Sequence, residues 1–345
     1  MGDLGGRGRR GGMGGRGDTG DRGEERMPAG SSGPSRRALV GRGALAALSV
    51  TGVGAGQASA ADDGAGRGGV EGPAAPWEPV PVPEQVPVTE HRVPVAGGGS
   101  LWCWDTGGNG EPVVLLHPGS GSGESWPYQQ PVLARAGFRT IGYSRRGAHG
   151  SVAGDPARAD TVSGDLHTLA DQLGLDRFHL AASAAGGQVA VDHALSHPER
   201  LRSLTVSGSI MGISDADYTR LSASLRPAGF SQLPIEFQEL GPSYRGGDPA
   251  GVAAWLAIHA RARTDDAFSQ TFAHTITWAA LETLALPVQL ITGDADLYSP
   301  PSVKRLIARH LRNVETHVIT EAGHNPHWEQ PAAWNHTLLT FLNQH

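Results

Sequence analysis

Asp296 and His324, near the C-terminus, are the residues whose types and positions predict acid–base chemistry. Asp296 comes shortly after the strand-like segment Pro287–Thr292, and His324 comes shortly after the strand-like segment Val314–Ile319. Loops at the carboxyl ends of parallel strands converge at one edge of a sheet, so the two side chains are expected to meet there. A histidine beside a carboxylate can exchange protons near neutral pH. Asp294 remains the alternative acid, and a surface position remains the alternative for His324, since the chain has 15 histidines.

The elements that must position this pair alternate between two patterns from about residue 88. Strand-like segments are short apolar runs bounded by turn residues, and helix-like segments repeat apolar residues at helical spacing. Besides the two strands just named, the patterns predict strands at Val88–Val95, Ser100–Asp105, Pro112–His117, Phe138–Tyr143, Phe178–Ala182 and Leu201–Ser207. They predict helices at Thr161–Leu173, from the end of the Phe178–Ala182 strand to about Ser196, and after each of the last two strands.

This alternation predicts an α/β fold with a mostly parallel twisted sheet and helices on both faces. Residues 209–283 break the rhythm, because they contain helical stretches such as Ala216–Leu225 and Val252–Arg261 but no clear strand. We interpret them as a helical cap that is inserted after the sixth strand and covers the strand ends. The α/β domain is therefore predicted to span residues 89–345, with the cap at about 209–283.

Six short segments then occur in an order typical of one family. They are Leu115–Gly119, Tyr143–Ser151, Leu180–Gly187, Ala194–Leu201, Gly293–Asp296 and Ala322–Pro331. Together they resemble the α/β-hydrolase family over about residues 92–345. The resemblance implies the α/β-hydrolase fold and an enzyme whose nucleophile, acid and histidine follow in that order. It makes His324 the general base and Asp296 the residue that orients its imidazole.

The nucleophile turn of that family, G-x-S-x-G, is altered in this chain and can be read in two registers. If Gly186 and Gly187 are the family's glycine pair, Ala184 occupies the nucleophile position, and a methyl group cannot attack a carbonyl. If Ser183 is the nucleophile, both flanking glycines have become alanine, at positions where the turn needs small residues. The small-residue requirement favours the Ala184 register.

The loop after the third strand resembles the family's oxyanion loop, but it contains Pro118, which has no N–H to donate. The resemblance therefore assigns the oxyanion contacts to the backbone amides of Gly119 or Ser120 and of Ala185. Aromatic residues of the cap can line a hydrophobic pocket, although such residues more often pack a cap onto its domain, which is the favoured interpretation.

Three functions follow from these residues. The first is hydrolysis of a small hydrophobic ester, lactone or other carbonyl compound, in which Ser183 would have to be the nucleophile. The second is a non-nucleophilic lyase, isomerase, cyclase or cofactor-free oxygenase that uses only the pair of His324 and Asp296, because Ala184 occupies the nucleophile position. The third is a non-catalytic pseudo-hydrolase that binds a ligand, which the survival of the pair disfavours.

The N-terminal residues predict an export signal. Residues 1–60 carry nine Arg against five Asp and Glu, a net charge of +4. Residues 1–34 of this segment are expected to be disordered. Arg36 and Arg37, a short apolar stretch and the small residues Ala58-Ser59-Ala60 resemble a twin-arginine signal with its cleavage site. Met27 is an alternative start to Met1. Residues 61–88 are rich in proline and predict an extended linker.

Bulk composition narrows the partners. The remainder of the chain carries a net charge of −10, which argues against nucleic acid or an anionic membrane as a partner. The apolar stretch of the signal is too short for a membrane span, so no stable insertion is expected after cleavage. The single cysteine, Cys103, excludes an intramolecular disulfide. No metal motif or nucleotide motif is visible, and we expect a cofactor-free protein with a small-molecule substrate, located outside the cell.

Overall fold

Eight strands form one sheet in the computed structural model, which describes residues 78–264 and 268–345. In chain order they are β1 (Thr89–Val95), β2 (Gly99–Asp105), β3 (Pro112–Leu116), β4 (Arg139–Tyr143), β5 (Phe178–Ser183), β6 (Leu201–Ser207), β7 (Val288–Gly293) and β8 (Val314–Ile319). The signal peptide and the larger part of the linker predicted from the sequence lie outside the described residues.

The sheet order is β1-β2-β4-β3-β5-β6-β7-β8. β1 and β2 form an antiparallel hairpin, and β2 also pairs with β4 antiparallel. All remaining pairs are parallel. The predicted α/β fold with a mostly parallel sheet is therefore confirmed, and each predicted strand lies within one or two residues of its observed bounds.

Eleven α-helices lie in the described residues. They are α1 (Gln130–Arg135), α2 (Val162–Gln172), α3 (Ala185–Ser196), α4 (Ala216–Ser224), α5 (Ile235–Glu239), α6 (Pro242–Gly247), α7 (Pro249–Ala262), α8 (Trp278–Leu281), α9 (Pro301–Ala308), α10 (Pro326–Glu329) and α11 (Pro331–Leu342). Helices α4 to α8 fall between β6 and β7, where the sequence predicts the cap. None of the described helices is long and apolar enough to cross a membrane.

The two faces of the sheet are covered by two separate apolar clusters, and β5 contributes to both. Leu180 and Ala182 belong to the larger cluster, which includes apolar residues of α2, α3 and α9. Ala181 belongs to the second cluster, together with Trp126 and Trp334. Because successive strand residues point to opposite faces, this assignment fixes the face of every β5 side chain. Ser183 therefore shares its face with Ala181.

Candidate active site

His324 and Asp296 are in direct contact at the carboxyl edge of the sheet. Nδ1 of the histidine lies 3.0 Å from Oδ1 and 3.1 Å from Oδ2 of the aspartate, and both side chains are buried. Oδ1 also accepts the backbone amides of Tyr298 at 2.8 Å and Ser299 at 3.0 Å. Asp294, the alternative acid, has its Oδ1 3.4 Å from the amide of Ala322 instead. The geometry thus pairs His324 with Asp296.

The protonation of His324 is set by opposing influences. Burial acts to lower the pKa of its imidazole, but the charge of Asp296, the hydrogen bond to Asp296 and the charge of Glu239 together raise the pKa above the ordinary value. The imidazolium is therefore stabilised in this site. A histidine that must be neutral to accept a proton would need a pH above the ordinary histidine range to be fully active.

A buried carboxylate holds the loop that carries the histidine. Glu329 accepts the amides of Gly323 at 2.9 Å and Asn325 at 3.1 Å, and the amide of Gly241 from the segment between β6 and β7 at 2.6 Å. Burial raises the pKa of Glu329 to about 7, although these amide donors act in the opposite direction. The loop is tied a second time, because His324 donates its own amide to the carbonyl of Glu239 at 2.9 Å.

Ala184 occupies the sharp turn between β5 and α3. Its backbone has φ 50° and ψ −117°, in the left-handed half of the map that L-residues rarely adopt. Gly186 follows two residues later, and a Cβ there would lie 2.6 Å from the carbonyl oxygen of Leu116. The turn therefore needs glycine at that place, as the Ala184 register requires.

Ser183 lies elsewhere. It is the last residue of β5, pairs with Ser207 of β6 and is fully buried. Its hydroxyl finds no hydrogen-bond partner among the described residues. On the strand alternation established above, it faces the cluster of Trp126 and Trp334, not α3. The structure therefore does not bring this hydroxyl to the face of the His324 cavity.

The strain at Ala184 gives a stability prediction. Glycine adopts φ 50° without the penalty that a Cβ brings, so replacing Ala184 by glycine relieves strain that offsets the usual entropic cost of glycine. We expect the free energy of unfolding in urea to fall by about 1 kcal/mol less for Ala184→Gly than for Ala182→Gly, the matched change at an unstrained buried position. Equal losses in the two variants would contradict a strained turn at position 184.

One cavity of about 380 Å³ brings the candidate residues together. Gly119, Ser120, Ala184, Ala185 and His324 all line it. Gly119 and Ala185 face each other so closely that a Cβ on the glycine would lie 3.4 Å from the methyl of Ala185. The carbonyl of Pro118 accepts the amide of Gly121 at 3.2 Å, which closes a tight turn in this loop. The volume suits a small organic molecule.

Three side chains in or beside this site were not singled out from the sequence. Glu239 lines the cavity and accepts the hydroxyl of Ser120 at 2.6 Å. The ring of Tyr298 lies 4.5 Å from the ring of His324, centroid to centroid. Lys304 is buried and donates from Nζ to the carbonyl of Ser209 at 2.8 Å, and burial lowers its pKa to about 8. Glu239 belongs to the insertion, where no motif marks it, and the other two sit in a loop and helix without a recognisable pattern.

Within the described ranges, no group of three or more His, Cys, Asp or Glu side chains is arranged to hold a metal ion. The site that the structure assembles therefore offers a base, a carboxylate that orients it and a cavity bordered by a glycine-rich loop and the start of a helix.

Comparisons with known proteins identify the family of this chain. A model described as the alpha/beta hydrolase family matches residues 113–337. A 2-hydroxy-6-oxononadienedioate/2-hydroxy-6-oxononatrienedioate hydrolase of Paraburkholderia phymatum is 29% identical over 275 residues, covering 70% of this chain and 90% of the relative. The protein of the same name from Burkholderia vietnamiensis is 26% identical over 274 residues, covering 70% and 90%.

Solved structures match the fold. A thermophilic esterase from Thermogutta terrifontis superposes with a TM-score of 0.63 at 23% identity, over 74% of this chain and 98% of the esterase. An enol-lactonase from Burkholderia xenovorans superposes with a TM-score of 0.58 at 20% identity, over 72% and 98%. At these identities the likeness concerns the fold alone.

Proposed function

The chain belongs to the α/β-hydrolase family of enzymes, and we propose that it acts on small carbonyl compounds by general-base catalysis without a covalent intermediate. In this proposal His324 is the base and Asp296 orients it. The observation that carries the proposal is the pairing of a complete histidine–aspartate dyad with Ala184 in one cavity. With a methyl group at the strained turn, the histidine has no hydroxyl to deprotonate there, so the proton it takes must come from the substrate or from water.

In the main proposal, the proton that His324 takes is bound to the substrate carbon next to a carbonyl. Nε2 of His324 accepts this proton, the electrons of the C–H bond move into the carbonyl, and the oxygen becomes an enolate. Asp296 stabilises the resulting imidazolium through Nδ1. The imidazolium then returns the proton to another atom of the same substrate, which completes an isomerisation or permits loss of a leaving group.

The enolate oxygen would be met by the backbone of the glycine-rich loop and the helix start. The amides of Gly119 or Ser120 and of Ala185 are the proposed donors, because these residues border the cavity beside Ala184. Donors that are already fixed where negative charge develops stabilise a transition state without reorganisation. The hydroxyl of Ser120 donates a hydrogen bond to Glu239, so the group of Ser120 that we assign to this role is its backbone amide.

Exchange of carbon-bound protons tests the proposal without knowledge of the natural substrate. A panel of small cyclic and linear ketones, cyclopentanone among them, is incubated with the protein in D2O, and loss of the α-proton signals is followed by NMR. We expect exchange above the rate seen with the His324→Gln variant for at least part of the panel. Exchange no faster than in that variant for every ketone would contradict the proposal.

Hydrolysis by a water molecule that His324 activates is a second candidate. It is favoured by the names of the two bacterial relatives, which are both hydrolases. The histidine would take a proton from water, and the hydroxide would add to the carbonyl of an ester or lactone. The tetrahedral intermediate would then break its bond to the alkoxide, and the imidazolium would return the proton to this leaving group. This candidate would be favoured over enolisation if two results are found together. Hydrolysis of p-nitrophenyl acetate and small lactones would have to require His324, and a fluorophosphonate probe would have to leave the protein unlabelled.

The other functions considered from the sequence receive less support. A serine hydrolase would need the hydroxyl of Ser183 in the cavity, whereas that side chain is fully buried on a strand. A ligand-binding protein would have no use for a buried histidine whose imidazolium is stabilised by Asp296.

The raised pKa of His324 gives a pH prediction. The neutral imidazole is the active base, so the rate should rise with pH through a pKa above 6.5 and then level off. Glu239→Gln removes one of the charges that raise this pKa, so the rising limb should move to lower pH. Glu236→Gln, three residues earlier in α5, is the matched control and should leave the limb in place. If the rising limb of the pH–rate profile stays at the same pH in Glu239→Gln, the electrostatic link between Glu239 and His324 is contradicted.

We further propose that the protein is exported by the twin-arginine route and cleaved after Ala60. The support is the order of paired arginines, apolar stretch and small residues described above. When the full chain is produced in a bacterium with this export system, the mature protein should begin at Ala61. Replacing Arg36 and Arg37 together by lysine should leave the precursor inside the cell, as read by cell fractionation and N-terminal peptide mass spectrometry. Unchanged export of that double variant would exclude the twin-arginine route.

A further inference from the structure

Arg145, beside the candidate active site, forms no ion pair with a carboxylate of the described residues. Its Nε lies 3.2 Å from Nε2 of His117, and its Nη2 donates to the carbonyls of His117 at 3.1 Å and Pro118 at 3.2 Å. The next residue, Arg146, shows the contrasting arrangement. Its guanidinium binds both carboxylate oxygens of Asp165, at 2.5 and 2.8 Å.

The side chains that contact Arg145 in the described part of the chain carry no negative charge. Burial and the charge of Arg145 lower the pKa of His117 well below its ordinary value, so this imidazole is a neutral acceptor. Burial lowers the pKa of Arg145 itself, and the charge of Arg263 acts in the same direction. Among the described residues no carboxylate forms an ion pair with Arg145, and no hydrogen bond from its Nη1 is found. A partly buried cation without an anion is costly, and an anionic ligand would relieve that cost.

A cavity of about 250 Å³ gives such a ligand room. Arg145 lines this cavity. Gly119, Ala185 and Arg263 line both this cavity and the one that holds His324, so the two spaces are adjacent. A small molecule with one end at Arg145 and the other at the dyad would have to span these two adjacent cavities.

We propose that Arg145 binds a carboxylate of the substrate, so that the substrate class is a small oxocarboxylic acid whose ketone carbonyl lies at His324. The inference rests on the proposed function only for the position of that carbonyl. One guanidinium with unused N–H donors matches one singly charged, planar carboxylate. The neutral lining contributed by His117 and the glycine-rich loop adds no second anion to compete for it.

Binding measurements test this directly. Dissociation constants are measured by calorimetry on the protein for straight-chain oxocarboxylates of increasing length, starting with 4-oxopentanoate, and for the corresponding amides, which have the same shape without the charge. We expect the carboxylate to bind about tenfold to a hundredfold more tightly than its amide at the length that spans the two cavities. Arg145→Gln should remove the preference, Arg145→Lys should keep part of it, and Arg261→Gln should keep all of it. Arg261 is the matched control because it pairs with Glu124 on an exposed part of α7.

The outcomes separate this inference from the proposed function. Equal affinity for carboxylate and amide at every length in the native protein would overturn the inference even if proton exchange is found. A preference that survives in Arg145→Gln would also overturn it. If Arg145→Gln does not fold, as judged by thermal unfolding, the native comparison and Arg145→Lys still decide. A clear carboxylate preference without any proton exchange would refute only the proposed function.

Discussion

A fluorophosphonate probe should leave the native protein unlabelled and should label the Ala184→Ser variant at position 184. The probe reacts with a hydroxyl that a neighbouring base activates, and the native cavity contains the base His324 but only a methyl group at the strained turn. A hydroxyl introduced at Ala184 would project from the same backbone position into the cavity. Intact-protein mass spectrometry detects the adduct, and peptide mapping locates it.

The variant should also gain esterase activity. An activated nucleophile with a positioned base contributes about 100-fold to 10,000-fold, so hydrolysis of p-nitrophenyl acetate should rise by about that factor over the native protein. The serine side chain adds one oxygen to a residue that already borders a cavity, so folding should be preserved.

Two further variants make this result specific. Adding His324→Gln to Ala184→Ser should abolish labelling, because the hydroxyl then has no base. Ser183→Ala in the native background should change neither labelling nor activity, since this hydroxyl is buried on β5. An adduct on Ser183 of the native protein that disappears with His324→Gln would instead reinstate the serine-hydrolase function and refute the general-base proposal.

The sequence predicted the fold well because its dominant signals are local. The apolar runs of β3, β5 and β7 are buried on both faces, and such runs are distinct from the amphipathic helices between them. The contact of His324 with Asp296 was also predictable, because parallel strands deliver their following loops to one edge of the sheet.

Other features of the site depend on contacts that no local pattern encodes. The two registers at the elbow differ by one residue in a run of small side chains, and only the backbone conformation separates Ala184 at the turn from Ser183 on the strand. Glu239 reaches the cavity from the insertion, where helix positions relative to the sheet do not follow from the sequence. Arg145 stands next to a motif arginine, and its contacts with His117 and Pro118, in place of a carboxylate among the described residues, follow from packing.

His324→Gln should reduce α-proton exchange by about 100-fold to 10,000-fold, which is the range that a positioned general base contributes. Glutamine fills a similar volume and can still donate a hydrogen bond to Asp296, but it cannot accept a proton at neutral pH. Asp296→Asn should reduce exchange as well, because the neutral amide no longer stabilises the imidazolium and can favour the wrong tautomer. NMR in D2O measures both effects on the ketones that the native protein exchanges.

The matched control for this prediction is His317→Gln. This histidine is half-exposed on β8, and its Nε2 lies 3.0 Å from Oε1 of Glu315, so its loss should leave exchange unchanged. The raised pKa of His324 adds an internal check, since a reaction that depends on its neutral form should lose rate on acidification, whereas exchange by an unrelated carboxylate would persist to lower pH. If exchange survives in His324→Gln with the native pH profile, another side chain must be the base. Glu239 would then be the next side chain in the cavity to replace.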